Sequence, residues 1–308
     1  MTTAAVIGLG TMGPGIAATL ARGGMTVRGF DTNADAIEAS AEAIAAATSV
    51  LDALGMPDRG AGGEDIVVTA DLRTCVEGAD LVVETVPEDL DLKRRVFRDV
   101  APLVDGDCVL ASDTSGIPIS RIQDGLPNPG RVVGMHWSNP PHIIPIIEVI
   151  AGDQTSAETV DWMAETIKSV NLLPVLVKKD VPGFVENRVL YALLRECVDL
   201  VENDVIDAEA LDTCVSWGIG YKLSVVGPMA LLDMAGLDIY RAVGSYLNQD
   251  LCNRGDVSPY IAARAEQDRL GMKTGGGIYD YTPDRIAALR QDRAGKLVAA
   301  RKALEGRA

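Results

Sequence analysis

Short runs of aliphatic and β-branched residues alternate with longer helical patterns over the first 180 residues. This alternation is typical of successive βα units in a parallel sheet. An alanine-rich helix is expected over Asn33–Leu54, and a turn over Gly60–Gly63. The pattern predicts a doubly wound α/β sheet, with strands at Ala4–Leu9, Thr26–Phe30, Asp65–Thr69, Asp80–Thr85, Asp107–Ala111, Arg131–His136, Ile146–Ile150 and Leu173–Val177.

The strand pattern stops after Asp180, and only helical periodicity follows. We therefore predict two domains, residues 1–180 and residues 181–308, joined by a short connection without a low-complexity linker. The second domain is expected to be all-helical, with helices at Glu186–Val201, Ala208–Val215, Met229–Leu247, Ser258–Arg269 and Pro283–Leu304.

Composition and charge narrow the possible partners. The chain has 308 residues, of which 47% are hydrophobic and 23% charged, and no uncharged apolar run approaches the ~20 residues of a membrane span. No signal sequence precedes the first strand, so a cytoplasmic location is expected. The formal charge of −16 argues against a nucleic-acid or anionic-membrane partner. The five cysteines are odd in number and scattered, which predicts reduced core residues and no metal site.

A glycine pattern directly follows the first predicted strand and opens a helix; its residues are Gly8, Leu9, Gly10, Thr11, Met12 and Gly13. In this context the glycines let a pyrophosphate approach the helix N-terminus. Asp31 ends the second strand, where a carboxylate can bind both ribose hydroxyls and repel a 2'-phosphate. No basic residue follows Asp31 before Arg59. Glycines after a strand can also merely form a turn, but the combination with Asp31 predicts an NAD site.

The chain has two histidines, and one of them is placed for chemistry. His136 ends a predicted strand, and open α/β sheets bind ligands at the carboxyl ends of their strands. Glu148 lies twelve residues later within Ile146–Ile150, where an unpaired carboxylate would be costly to bury. If the chain doubles back through Pro140 and Pro141, Glu148 comes beside His136 and can stabilise its imidazolium form. A buried structural pair is the alternative.

Together these motifs resemble the 3-hydroxyacyl-CoA dehydrogenase family over nearly the whole chain. Further matching segments are Val86–Lys93, Ala111–Gly116, Lys179–Arg188 and Lys273–Gly277. The resemblance implies an N-terminal Rossmann domain followed by a helical dimerisation domain, and hence a homodimer. It also implies that Glu88 and Lys93 contact the cofactor, and that Ser115 and Asn187 bind the reacting oxygen.

The substrate region departs from the acyl-CoA members. Residues 32–72 contain one basic residue against eight acidic ones, although the phosphorylated end of a CoA ester requires Lys or Arg. The loop around Asn139 is similar to that of carnitine and gulonate dehydrogenases, which act on small acids. In those enzymes an arginine matches Lys222. The resemblance therefore implies an anionic small-molecule substrate bound by Lys222 and Asn139.

We predict an NAD-dependent dehydrogenase that oxidises a small hydroxy or formyl carboxylic acid with His136 and Glu148 as a general-base pair. The substrate loop and the segment around Lys222 are most similar to an enzyme that oxidises a formylated pyridine carboxylate in vitamin B6 breakdown. Two alternatives stay open. One is a 3-hydroxyacyl-CoA dehydrogenase, and the other is a catalytically silent NAD-binding protein like the lens crystallins of this superfamily.

Overall fold

A computed structural model describes residues 2–60 and 66–306 of the chain. Contacts within the chain divide it into two units, residues 1–188 and residues 189–308. The sequence places the domain boundary after residue 180 instead. Part of the predicted turn over Gly60–Gly63, and the first residue of the predicted strand Asp65–Thr69, lie outside the described residues.

The first unit contains a sheet whose strands confirm the predicted positions to within a few residues. With the strands numbered in chain order, their order across the sheet is β3-β2-β1-β4-β5-β6-β7-β8. The chain first adds strands on one side of β1 and then on the other side, which is the arrangement of a Rossmann fold. The strands are β1 Thr3–Ile7, β2 Thr26–Phe30, β3 Val67–Thr69, β4 Leu81–Glu84, β5 Val109–Ser112, β6 Val132–Trp137, β7 Ile146–Ala151 and β8 Leu173–Val177.

Helices connect these strands, and several begin at a residue whose side chain accepts a hydrogen bond from the first turn. Asn33 accepts from the Asp35 amide at the start of α2, and Ser156 accepts from the Thr159 amide at the start of α6. Such caps satisfy amide groups that have no partner within the helix. The helices of the first unit are α1 Gly13–Arg22, α2 Ala34–Ala53, α3 Leu72–Val76, α4 Leu90–Val100, α5 Ile119–Gln123 and α6 Ala157–Ser169.

The core of the first unit lies on both faces of the sheet. Successive strand residues point to opposite faces, so Ala4 and Val6 of β1 join one buried cluster, while Ala5 and Ile7 join the other. Every residue of α1 is buried. Because both faces of the sheet are covered, the carboxyl ends of its strands are held rigidly and can support a binding site.

Two neighbouring strands, β7 and β8, run against the direction that successive βα units would give. β7 is antiparallel to β6, and β8 is parallel to β7. Residues 138–145 alone connect β6 to β7, whereas a parallel connection needs a crossover of a dozen or more residues. The successive parallel βα units therefore end at β6, and the sheet is mixed. The chain doubles back between β6 and β7, as the expected pairing of Glu148 with His136 requires.

The second unit is helical, as predicted, and α7 Glu186–Glu202 leads into it. The prediction of one helix over Met229–Leu247 is wrong, because Gly236 has φ of +99° and separates two helices. A π-helical turn over Val215–Gly220 extends the helix that starts at Ala208. The remaining helices are α8 Ala208–Cys214, α9 Tyr221–Leu223, α10 Pro228–Ala235, α11 Leu237–Asp250, α12 Pro259–Glu266 and α13 Pro283–Leu304.

Apolar side chains of the second unit are accessible to solvent. Among the described residues, the buried hydrophobic side chains all lie at or before Phe184. Trp217 and Met234 are 71% and 73% exposed. Within the described part of the chain, no single helix has the length and apolar character to cross a membrane; Ala208–Leu223 and Pro228–Ala235 meet these criteria only as a pair bent by 88°.

Candidate active site

The loop between β1 and α1 holds the glycine pattern. Gly8 has φ of +102°, and a Cβ atom there would lie 2.9 Å from the carbonyl carbon of Thr85. A Cβ atom at Gly13 would lie 2.0 Å from the Gly8 carbonyl oxygen, whereas one at Gly10 would meet no described atom within 4 Å. Loop packing thus requires the first and third glycines, and the second faces open space. This open backbone before a helix fits the pyrophosphate of a dinucleotide.

Asp31 holds this loop against the end of β2. Its Oδ2 atom accepts a hydrogen bond from the Leu9 amide at 2.7 Å, and its Oδ1 atom accepts from the Asn33 amide at 2.8 Å. A carboxylate has further lone pairs for the two hydroxyls of a ribose. Thr11 is exposed and Met12 is half-buried in the same loop. The structure thus brings the predicted cofactor-binding residues of the glycine pattern together with Asp31.

Glu88 lies in the connection between β4 and α4, and Lys93 lies in α4; both make contacts within the chain. The Lys93 ammonium is buried; it donates to Glu84 Oε1 at 2.9 Å and lies 3.5 Å from Glu88 Oε2. Glu88 Oε1 accepts from the Thr114 hydroxyl and from the Ser115 amide. These contacts fasten the loop after β5 to the start of α4. The predicted cofactor contacts of Glu88 and Lys93 stay predictions.

His136 and Glu148 lie directly opposite one another on the antiparallel strands β6 and β7. The His136 Nδ1 atom is 2.8 Å from Glu148 Oε2, and both residues are buried. The second Glu148 oxygen accepts from the amides of Val185 and Glu186 at 3.0 and 3.1 Å. The ring of Phe184 lies 5.8 Å from that of His136. The carboxylate therefore fixes the imidazole and also anchors the start of α7.

Electrostatics favour the charged form of this pair. Burial lowers the pKa of His136, but the hydrogen bond to Glu148 and the charges of Asp113, Glu148 and Glu186 outweigh it, so the pKa is raised. Burial raises the pKa of Glu148, and hydrogen bonds from His136, Glu186 and Val185 outweigh this effect, so that pKa is lowered. An imidazole in this setting accepts a proton readily, as a general base must.

Ser115 and Asn187 are also brought together. The Asn187 side-chain amide donates to the Ser115 carbonyl oxygen at 2.8 Å. Ser115 follows β5 and is exposed, and Asn187 lies one residue beyond Glu186 in the first turn of α7. Both therefore belong to elements tied to the His136 pair. Their predicted bonds to a reacting oxygen are not tested by these contacts and stay predictions.

The two predicted substrate-binding residues lie in different units. Asn139 is exposed in the connection between β6 and β7, and its peptide bond to Pro140 is cis. Lys222 is exposed on α9 in the second unit. The substrate roles of Asn139 and Lys222 stay predictions.

Comparison with known proteins identifies the family. Residues 3–181 match the family model for the 3-hydroxyacyl-CoA dehydrogenase NAD binding domain, and residues 183–281 match the model for the C-terminal domain of the same family. The chain belongs to the 3-hydroxyacyl-CoA dehydrogenase family. It is an NAD-dependent dehydrogenase with a Rossmann-like mixed sheet followed by a helical domain, as its sequence predicts.

Several relatives are similar to this dehydrogenase over most of its length. A 5-formyl-3-hydroxy-2-methylpyridine 4-carboxylate 5-dehydrogenase of Mesorhizobium japonicum is 58% identical over 98% of both chains. An L-carnitine dehydrogenase of Streptomyces griseus is 35% identical over 75% of this chain and 69% of its own. A solved structure of a 5-formyl-3-hydroxy-2-methylpyridine 4-carboxylic acid 5-dehydrogenase, described as an NAD+ dependent dismutase, is 57% identical to this chain. The match covers 100% of both chains and has a TM-score of 0.97.

Sequence reasoning missed four polar residues of this dehydrogenase near His136 or the cofactor loop. Asp113 accepts from the Trp137 amide at 2.8 Å, and Glu84 is fully buried against Lys93. Glu186 accepts a hydrogen bond from the Ser138 hydroxyl. Asp113 and Glu84 carry nearly the same sequence signal as Glu148, a carboxylate within or directly after an apolar strand. Ser138 and Glu186 carry no such signal.

Proposed function

We propose that this dehydrogenase oxidises 5-formyl-3-hydroxy-2-methylpyridine-4-carboxylate (FHMPC), the compound in the name of its Mesorhizobium relative, and that the product is the corresponding dicarboxylate. The observation that carries the proposal is the buried hydrogen bond of 2.8 Å between His136 and Glu148. His136 lies near the carboxyl end of β6. The glycine loop follows the carboxyl end of β1, which runs parallel to β6 through β4 and β5. Base and cofactor loop therefore share one edge of the sheet.

The formyl group reacts as its hydrate. Water adds to the formyl carbon and gives a gem-diol, from which His136 removes a hydroxyl proton. The carbon then loses hydride, and the carbonyl of the new carboxylic acid forms. Glu148 orients the ring of His136 and stabilises the imidazolium that results. No cysteine nucleophile is needed, because the same base accepts a proton from an alcohol or from an aldehyde hydrate.

The cofactor residues of the proposal are Gly8–Gly13 and Asp31. Bound NAD supplies the hydride acceptor. Asp31 holds the ribose hydroxyls, and its charge disfavours a 2'-phosphate, so NAD is preferred over NADP. Ser115 and Asn187 bind the reacting oxygen. Lys222 and Asn139 bind the substrate, with Lys222 on its carboxylate.

The proposal extends to assembly and location. Two copies of the chain pair through apolar helix faces of the second unit. The many exposed large apolar side chains of the second unit, Trp217 and Met234 among them, support this, because apolar surface of this kind is buried when two copies associate. The dimer acts in the cytoplasm.

A substrate comparison tests the proposal. Purified protein with NAD is offered FHMPC, carnitine, gulonate or 3-hydroxybutyryl-CoA, and NADH absorbance is followed. We expect the highest kcat/KM for FHMPC. A higher value for the CoA ester would instead support the acyl-CoA alternative, and no NADH with any substrate would support a silent NAD-binding protein.

Product analysis sharpens the same test. The FHMPC dehydrogenase of known structure is described as a dismutase. If this chain also acts so, excess aldehyde with catalytic NAD gives equal amounts of acid and alcohol, since each NADH returns its hydride to a second aldehyde molecule. Acid in an amount equal to the NAD supplied, without alcohol, would limit the chain to simple oxidation.

A further inference from the structure

Glu186 begins α7 and is tied to the His136 site through both its backbone and its side chain. Its amide donates to Glu148 Oε1 at 3.1 Å, and its own carboxylate accepts a hydrogen bond from the Ser138 hydroxyl. A ring nitrogen of His136 and carboxylate oxygens of Glu148 and Glu186 all lie within 4.8 Å of one another. Glu186 thus brings a second carboxylate to the imidazole that Glu148 already binds.

Ser138 holds this carboxylate in place. It lies two residues after His136, beyond the end of β6, and its side chain is buried. The hydrogen bond from Ser138 therefore links Glu186 to the strand that carries His136. Glu186 itself is half-buried, so its charge is screened less than a surface charge would be.

Carboxylates face His136 from three elements. Glu148 comes from β7, Glu186 comes from α7, and Asp113 follows β5, and each of these charges raises the pKa of the imidazole against the effect of burial. Glu148 also accepts the Nδ1 hydrogen bond, and the Asp113 Oδ1 atom accepts from the Trp137 amide. Glu186 differs from both in that its side chain bonds neither the ring nor the strand backbone; its hydrogen-bond donor is a hydroxyl.

We propose that Glu186 is a positioning residue of the dehydrogenase: with Ser138, it holds a negative charge beside His136 and strengthens His136 as the proton acceptor. This inference rests on the proposed role of His136 as the base. The charge stabilises the imidazolium that forms when the substrate hydroxyl gives up its proton. A purely structural Glu186 would only join α7 to the end of β6.

The first test measures the protonation of His136 directly. Because the chain has two histidines, protein labelled at histidine gives two NMR titrations, and His142→Gln assigns them. Samples contain EDTA, so that a bound metal ion does not mimic the effect. Glu186→Gln retains an oxygen for the Ser138 hydroxyl but removes the charge. We expect the pKa of His136 to fall by about one unit.

Matched variants separate the effect of the Glu186 charge from that of its hydrogen bond to Ser138. Glu186→Asp keeps the charge and should restore part of the shift. Ser138→Ala leaves the charge but frees the side chain, so it should lower the pKa of His136 less than Glu186→Gln does. Glu77→Gln removes an exposed carboxylate between α3 and β4, on the side where β4 begins and not where the strands end near His136. This control should leave the pKa of His136 unchanged.

The pH dependence of turnover gives a second readout. The acidic limb of kcat/KM reports the base of the free enzyme, and the variant base loses its proton at lower pH. In Glu186→Gln this limb should therefore move to lower pH by the same amount as the NMR titration. The plateau at high pH should fall, because a weaker base removes the proton more slowly.

These results distinguish failure of the inference from failure of the proposed function. An unchanged pKa of His136 in folded Glu186→Gln, with an unmoved acidic limb, would overturn the role of Glu186. A shifted pKa of His136 without any change in the limb would show that His136 is not the base, and would count against the proposed function as well.

Discussion

The two units of the chain differ in how they bury apolar surface. The first unit packs helices on both faces of its sheet and has two buried clusters. In the described residues of the second unit, Ser258 and Arg301 are buried, whereas hydrophobic side chains such as Tyr191 and Trp217 are exposed. The first unit can therefore hold the proposed catalytic pair from its own residues, whereas the second unit leaves large apolar side chains exposed.

The largest expected effect concerns the site that the first unit builds by itself. His136→Ala should lower kcat by about 10²- to 10⁴-fold, the usual range for positioned acid-base catalysis, while NAD affinity stays nearly unchanged. Stopped-flow turnover and NAD titration by fluorescence measure both quantities. Glu148→Gln should also impair turnover, since a neutral amide cannot stabilise the imidazolium.

The double variant is the sharper control. Adding Glu148→Gln to His136→Ala should reduce kcat little further, because members of one catalytic unit are not additive. Near-wild-type turnover in either single variant would contradict the assignment of the pair as the base.

A smaller effect follows from the burial of Asp113 in the same unit. Burial raises the pKa of its carboxyl to about 7, although the Trp137 amide and His136 act to lower it. Between about pH 4 and pH 7 the folded state then holds a proton that the unfolded state has lost, so this group makes stability fall as pH rises through that range. Asp113→Asn, which keeps the hydrogen-bond acceptor, should remove that fall.

The measurement compares the free energy of unfolding of wild type and Asp113→Asn from pH 4 to pH 8. The variant should gain relative stability toward high pH, by an amount on the order of 1 kcal/mol for each unit by which the pKa is displaced. Asp107→Asn, at an exposed position before β5, should follow wild type. Parallel curves for all three proteins would show that Asp113 titrates normally.

The next prediction concerns the second unit and the predicted contact of Lys222 with the substrate. If Lys222 binds the substrate carboxylate, Lys222→Met removes a charge-assisted hydrogen bond worth about 1.5 to 3 kcal/mol, which corresponds to a rise in KM of roughly 10- to 150-fold. The uncharged amide analogue of the substrate should lose much less. Lys296→Met, at an exposed position on α13, serves as the matched control. An equal penalty for acid and amide would exclude Lys222 as the anchor.

The smallest expected effect is on stability, and it concerns the exposed apolar side chains on the helices of the second unit. If a second copy covers them, light scattering should give twice the mass of the chain at micromolar concentration. The thermal midpoint should also rise with protein concentration, since each tenfold increase stabilises a dimer by about 1.4 kcal/mol. A monomer whose midpoint does not depend on concentration would mean that the apolar faces stay uncovered.

Much of the fold can be predicted from the sequence, because the spacing of the apolar residues matches the strands and helices that form. The strands of the first unit, the helical second unit and the pairing of His136 with Glu148 are each dictated by apolar runs interrupted at a few polar positions. The glycine loop is equally determined, because the steric limits at Gly8 and Gly13 allow no other residue.

The rest depends on contacts that the local sequence does not specify. The direction of β7 is set by the length of its connection, and the break at Gly236 by a backbone angle that glycine permits. Glu186 follows Ser138 by 48 residues, and a serine after a strand or a glutamate at a helix start is ordinary in any sequence. Only the folded chain shows that the two meet beside His136.

If His136 and Glu148 act together as the base, their direct opposition across two antiparallel strands makes enzyme activity a measure of correct folding. A slip of β7 by a single residue would turn Glu148 to the other face of the sheet, while most of the secondary structure remained. Refolded preparations could thus match the native circular dichroism spectrum and still contain inactive molecules. The ratio of turnover to ellipticity after refolding would then count the fraction of molecules with the strands in register.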